Sequence, residues 1–180
     1  KSNITISGYN NEMPLVNTGE GIKLIGTSYV TLRGFEVTGM VGNWTAAIMI
    51  INSENTFPTY NTIEYNKVHD NTHVGMAGIR IKEGSYNKIL NNEIYNNYFV
   101  GIRVSGDTPT VGNEVGYNKI YNHTLGGKDS DGMDLSGTNV TGTYIHNNIF
   151  FGNADDGLDT WNSEGNIIIG NIAYNQNGVG

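Results

Sequence analysis

Asn92-Glu93-Ile94-Tyr95-Asn96-Asn97 and Asn118-Lys119-Ile120-Tyr121-Asn122-His123 are one six-residue phrase written twice, 26 residues apart. The phrase also occurs 26 residues upstream, as Asn66-Lys67-Val68-His69. Looser copies follow downstream as Asn148-Ile149-Phe150-Phe151 and Asn171-Ile172-Ala173-Tyr174, after steps of 30 and 23 residues. Three columns result. The first is the leading Asn. The second, three places on, is aromatic: His69, Tyr95, Tyr121, Phe151 and Tyr174. The third, five places on, is polar: Asn71, Asn97, His123, Asn153 and Gln176. Self-similarity at a period of about two dozen residues is the signature of a solenoid.

Each repeat carries a second strand-like piece. It reads Gly78-Ile79-Arg80-Ile81, Gly101-Ile102-Arg103-Val104, Gly132-Met133-Asp134-Leu135 and Gly157-Leu158-Asp159-Thr160, with Gly21-Ile22-Lys23-Leu24 and Ala47-Ile48-Met49-Ile50 as earlier members. Alternation turns the second and fourth residues inward and the third outward. No segment has a helical stripe with caps at both ends. The expectation is an all-β chain, residues 1–180 forming a single parallel β-helix domain of about six to seven coils. Stacked coils lie about 4.7–4.9 Å apart, so like side chains meet in ladders and Asn amides can satisfy one another along the axis. The aromatic column reads as packing. Lys1 opens inside strand-like alternation and Gly180 stops as another turn begins, so the chain is expected to be a segment of a longer helix. Insertions at 52–60 and 137–142 read as loops on one side.

Composition narrows the function. The formal net charge is −7 and no basic block occurs, so the footprint of a nucleic-acid binder is missing. The chain has no Cys, which excludes disulfides and thiolate metal sites. No apolar run approaches the ~18 residues of a membrane span.

The chemistry concentrates between Lys128 and Trp161. Of the eight Asp residues, six fall there: Asp129, Asp131, Asp134, Asp155, Asp156 and Asp159. Asp131-Gly132-Met133-Asp134 matches Asp156-Gly157-Leu158-Asp159 at a shift of 25 residues, about one coil. Stacked carboxylates repel and raise each other's pKa unless a cation sits between them, and hard oxygen ligands in that number suit calcium. The plainer alternative is a solvated acidic patch, or turns built from Asp-Gly pairs. The outward column runs Lys23, Met49, Arg80, Arg103, Asp134, Asp159, from cationic to acidic. Arg80 and Arg103 could hold the carboxylates of an acidic polymer, or only balance the acidic turns. Trp161 could stack on a sugar ring or pack at the strand end. Lys128 could act as a base or as an ion-pair partner. His69, His73, His123 and His146 form no zincin motif, and His69 and His123 belong to the ladders.

The ladder-rich coils, together with Ser130-Asp131-Gly132-Met133-Asp134 and Asn153-Ala154-Asp155-Asp156-Gly157-Leu158-Asp159-Thr160-Trp161, resemble the family 9 polysaccharide lyases, pectate lyases on a right-handed parallel β-helix. The stretches Ile4–Gly8 and Tyr29–Val37 are similar to this and related β-helix families. The resemblance implies a calcium site formed by Asp131, Asp155, Asp156 and Asp159, with Asp134 added by position. It implies β-elimination on a pectate-like acidic polysaccharide, with calcium as cofactor. It also implies a catalytic lysine on a following coil. No strand of that kind is present, so no catalytic base is assigned in this segment and the expected lysine lies after Gly180. Arg80, Arg103 and Trp161 are the expected substrate-binding residues.

Two other functions stay open. Inverting β-helix hydrolases also use Asp clusters, around a water, but their Arg-x-Lys would come later than Arg80-Ile81-Lys82 does here. A non-catalytic carbohydrate-binding or surface module would use calcium only to fix its coils. The expected partner is an acidic polysaccharide, with no nucleic acid and no membrane. A monomer is expected, and secretion follows from a polymeric substrate outside the cell.

Overall fold

The computed structural model describes residues 3–10, 12–43 and 45–178. Three parallel sheets run along the axis of a solenoid. The first sheet stacks Ile4–Ser7, Val30–Arg33, Thr62–Glu64, Lys88–Leu90, Glu114–Gly116, Tyr144–His146 and Ile167–Ile169. The second stacks Leu15–Val16, Glu36–Thr38, Lys67–His69, Glu93–Tyr95, Lys119–Tyr121, Ile149–Phe151 and Ile172–Tyr174. The third stacks Ile22–Ile25, Ala46–Ile51, Ala77–Lys82, Ile102–Ser105, Met133–Ser136 and Leu158–Trp161. Seven coils in two sheets and six in the third agree with the sequence reading. The one helical element among the described residues is a 3-10 turn at Gly127–Asp129.

The core is the inner face of all three sheets. Ile63, Ile89, Val115 and Ile145 come from the first, Val68, Ile94, Ile120 and Phe150 from the second, and Ile79, Ile81, Ile102, Val104, Met133 and Leu135 from the third. Burying each large aliphatic chain contributes about 1.5–3 kcal/mol. A second, external cluster was not expected. Ala46, Met49, Ala77 and Val100, with Ile51 and Phe99 against them, pack on the outside of the third sheet. Met49, although it points outward, is therefore buried.

Three bends per coil are built alike. In one coil Tyr60 (φ 58°), Tyr65 (φ 54°) and Asp70 (φ 52°) take the left-handed conformation immediately before Asn61, Asn66 and Asn71. Each following Asn turns inward and donates to the same position in the coil after it. Thus Asn66 N–H and Nδ2 both donate to Asn92 Oδ1 (3.0 and 3.1 Å), and Asn92 does the same to Asn118 (2.9 and 3.0 Å). The Asn71 column continues through Asn97, His123, Asn153 and Gln176. A third ladder, Asn61-Asn87-Asn113, escaped the sequence reading although its members are also spaced by 26 residues. Thr143 takes its place in the next coil and Asn166 resumes it. The buried amides thus satisfy backbone groups that the bends would leave orphaned. The rings of His69, Tyr95, Tyr121, Phe151 and Tyr174 stack at 4.6–5.2 Å between centroids. Both insertions fall in the connection from the third sheet to the next first-sheet strand. The second is not all loop: Val140–Thr141 pairs with Thr110–Val111.

Candidate metal and carboxylate-binding cleft

The register of the third sheet decides the site. Lys23 pairs with Met49, Met49 with Arg80, Arg80 with Arg103, Arg103 with Asp134 and Asp134 with Asp159. The outward column read from the sequence is therefore one physical file, a coil apart at each step. Its acidic end lies in a cleft of about 420 Å³ lined by Phe99, Arg103, Lys128, Asp129, Asp131, Asp134, Ser136, Asp155, Asp159 and Trp161.

Asp131 and Asp156 stand just before the strands and meet across coils. The Asp156 N–H donates to Asp131 Oδ1 at 3.0 Å, and the Gly132 N–H donates to the Asp156 carbonyl at 2.9 Å. One carboxylate oxygen from each of Asp131, Asp155 and Asp156 lies within 4.8 Å of the others. The glycines between them are not turn residues. Neither Gly132 nor Gly157 has positive φ. A Cβ on Gly132 would sit 2.5 Å from the Gly157 carbonyl oxygen and 2.6 Å from Phe150. The small residue lets the coils close up, which brings the carboxylates together.

Burial pushes the Asp131 carboxyl up to about 7. The Asp156 N–H opposes that shift, and the charges of Asp155, Asp159 and Asp134 add to it. Burial also pushes Asp134 up to about 6, against the pull of Arg103 and with the push of Asp159. A partly buried carboxylate set that holds protons near neutrality is a set short of positive charge.

The expected ligands divide. Asp131, Asp155 and Asp156 form the close triad, although Asp156 does not line the cleft. Asp159 lines the cleft outside the triad. Asp134 is engaged otherwise, with Oδ2 3.1 Å from Arg103 Nε. That N–H does not point at the oxygen, so the contact is an ion pair without an aligned hydrogen bond. Arg103 also donates to Ser136 Oγ at 3.2 Å and lies over the Phe99 ring. Arg80 is not brought to the cleft. Its guanidinium donates twice to Ser105 Oγ, at 3.1 and 3.0 Å, one coil short of the acidic residues. Burial, with Arg103 beside it, pulls Arg80 down to about 10. Trp161 lines the cleft and is 65% exposed, so its ring is presented to solvent.

The histidines lie elsewhere. His69 contacts Glu36 and Asp70, His146 contacts Glu114, and His123 is a ladder member whose burial pulls it down to about 4. Lys128 lies on the 3-10 turn and lines the cleft. Val179 and Gly180, where the sequence reading placed the start of a further strand, lie outside the described residues, as do Lys1 and Ser2.

Residues 2–177 match the family described as right handed beta helix region, and the chain belongs to that family. No curated protein matches it in sequence. Among solved structures it is similar to a presumptive glycosyl hydrolase from Parabacteroides merdae, with 13% identity over 94% of this chain and 82% of that one and a TM-score of 0.48. A protein of Geobacillus virus E2 aligns at 14% identity over 87% of this chain and 34% of that one, TM-score 0.39. The A-module of a mannuronan C-5 epimerase from Azotobacter vinelandii aligns at 12% identity over 96% and 58%, TM-score 0.40. This chain thus spans about a third of the viral protein and just over half of the epimerase module.

Proposed function

We propose that this β-helix binds calcium at Asp131, Asp155 and Asp156, with Asp159 beside them, and belongs to a lyase that cleaves a pectate-like polyuronate by β-elimination. The observation that carries the reading is the triad of carboxylates from adjacent coils, oxygens within 4.8 Å, one of them raised to about 7 by burial and like charge. Hard oxygen donors and a deficit of positive charge fit a calcium ion. When bound, calcium would bridge the protein to a uronate carboxylate and offset the negative charge that builds when the C5 proton leaves.

The chain's own residues do the rest of the binding. Asp156 N–H and the narrow Gly132 hold the triad's geometry before any ion arrives. Arg103, fixed by Ser136 and Asp134, presents positive charge one coil away for a neighbouring uronate. Trp161 offers an exposed ring to a sugar face. The proton acceptor is assigned to a basic group outside this set, as the family resemblance suggests. Secretion is part of the same proposal, because the substrate is a polymer.

Hydrolysis is the second reading. A carboxyl whose pKa is raised by burial to about 7, as that of Asp131 is, is also what a general acid requires. One experiment separates the two. Polygalacturonate is incubated with the parent chain that carries the expected lysine, with and without calcium, and products are followed by ultraviolet absorbance and reducing ends. Calcium-dependent unsaturated products, lost in Asp155→Asn/Asp156→Asn, are expected. Saturated products would replace the lyase with the hydrolase, and retained polymer without cleavage would leave a binding module.

A further inference from the structure

We infer that Lys128 is the residue that grips an anionic group of the bound polymer, so that the cleft takes a uronate unit between the acidic triad and a lysine. This rests on the reading of the cleft as a polyuronate site and adds a residue that neither the family resemblance nor the outward column assigns.

The backbone that carries Lys128 is anchored from both sides. Ser130 is fully buried. Its N–H donates to the Gly127 carbonyl at 3.0 Å, which closes the turn. Its hydroxyl donates to the Tyr98 carbonyl of the preceding coil at 3.2 Å, and its carbonyl accepts from Asp155 N–H of the following coil at 3.3 Å. Gly127 takes the left-handed φ of 70°, and Gly126 has room for no side chain because Ser130 Oγ and the Tyr98 carbonyl stand within 3.0 Å of where its Cβ would be. The turn is therefore tied to the coil before it and to the following coil, which supplies Asp155 and Asp156 of the triad, and its Lys128 and Asp129 line the cleft.

Lys128 lines the cleft, yet among the described residues it has no carboxylate within 4.0 Å. The contrast is informative. Lys23, Lys67, Lys88 and Lys119 each pair with a Glu on the outer surface, and Lys82, which closes on no carboxylate either, lies outside the cleft. Arg103, the other cation of the cleft, is held by Asp134 and Ser136. Lys128 stands in the most acidic part of the molecule without closing on any of its acids. An ammonium is a point charge with three donors on a flexible stem, able to follow a carboxylate wherever a ligand brings it.

Charge balance calls for such a group. Five Asp side chains line the cleft, and one divalent ion with Arg103 offsets only three of their five formal charges. A polyanion entering that field gains from every further cation on its path. The ligand selected is therefore carboxylated. A neutral glucan or galactan offers nothing for an ammonium that a water does not.

The test is calorimetric, on the whole chain in saturating calcium, with polygalacturonate and a neutral galactan as titrants. Lys128→Gln is expected to lose about tenfold in polygalacturonate affinity and Lys128→Arg to lose less than about threefold, as charge-assisted hydrogen bonds predict. The salt dependence of binding should be shallower in Lys128→Gln, while its calcium affinity is unchanged or higher. Unchanged polymer affinity together with tighter calcium would overturn the assignment, since Lys128 would then only dilute the acidic charge. A wild-type chain that binds calcium but discriminates against uronate in favour of galactan would also overturn it, leaving the metal site standing. The converse failure, calcium binding that survives Asp155→Asn/Asp156→Asn, strikes the proposed function instead.

Discussion

The Asp156 N–H points at Asp131 Oδ1, 3.0 Å away across one coil step, and so ties two acidic segments 25 residues apart into one site. The same geometry that assembles the site also crowds its charges, and the first prediction follows from that conflict.

Asp131 and Asp134 have native pKa values raised to about 7 and about 6, above the ordinary 3.8. Between those values and 3.8 the folded chain holds protons that the unfolded chain has released. The contribution of these two carboxyls to the stability of the metal-free protein therefore falls as pH rises from about 4 through about 7. Thermal unfolding in chelator should show a lower Tm at pH 8 than at pH 5, and calcium should raise Tm more at pH 8. Asp131→Asn keeps the acceptor for Asp156 N–H and removes the buried charge. It should raise the metal-free Tm at pH 8, by an amount equivalent to about 1–3 kcal/mol, and abolish most of the calcium response. A mutant that is no more stable at pH 8, yet still responds to calcium, would contradict the electrostatic account.

Asn118 anchors a ladder. Its Oδ1 accepts from Asn92 N–H and Nδ2, and its Nδ2 donates to the Ile89 carbonyl at 2.9 Å. Asn118→Leu preserves approximate size but orphans those groups in the core. A loss of about 3 kcal/mol or more is expected from denaturant unfolding, since each unsatisfied buried group costs roughly 1–3 kcal/mol. Asn96→Gly, which suits the left-handed φ of 52° there and removes only an exposed bond to Asp70, should cost much less.

Gly132→Ala tests the coil contact. The added methyl would meet the Gly157 carbonyl at 2.5 Å, and backbone cannot swing aside as a side chain can. Overpacking of this kind costs about 1–3 kcal/mol or more. Because the strain falls between Asp131 and Asp156, calcium affinity should drop along with Tm. Gly34→Ala lies where a Cβ meets nothing within 4 Å, but at φ 73°. It should lower Tm through backbone strain alone and leave calcium affinity intact.

His123 replaces Asn in its ladder. Its Nδ1 accepts from Asn97 N–H at 3.1 Å, so Nε2 carries the proton, and Nε2 has no aligned acceptor. Burial holds its pKa down to about 4, below the ordinary 6.5. Its share of stability is present above pH 6.5 and is lost as pH falls toward 4, because the unfolded chain binds the proton first. His123→Asn should restore the Asn pattern and remove this acid sensitivity. The gain in Tm should be larger at pH 4.5 than at pH 7.5, as read by calorimetry.

The comparison of sequence with structure is uneven in an instructive way. The Asn66 and Asn71 ladders were legible because their Asn residues recur beside aromatic and aliphatic columns. The Asn61 ladder has the same spacing but was missed. Its signal is the pair of a left-handed residue and an inward Asn, as in Tyr60-Asn61 and Tyr86-Asn87. Nothing local marks Tyr as a residue that will adopt φ near 58°. Met49 and Phe99 were hidden for another reason. Met49 faces outward by alternation and Phe99 precedes its strand, and only the tertiary structure packs them with Ala46, Ala77 and Val100.

Period and alternation alone determined that the chain would coil, which residues would share the outer file from Lys23 to Asp159, and that two acidic segments would fall on neighbouring coils. These follow from a strict repeat of two-fold and coil-length periods, which local chemistry enforces. The tertiary structure alone decided which carboxylates converge, that Asp134 goes to Arg103 while Arg80 is held back by Ser105, and that Lys128 lines the same cleft as the acids. Those outcomes depend on contacts between segments about 25–35 residues apart, whose ångström-scale differences no spacing in the chain records.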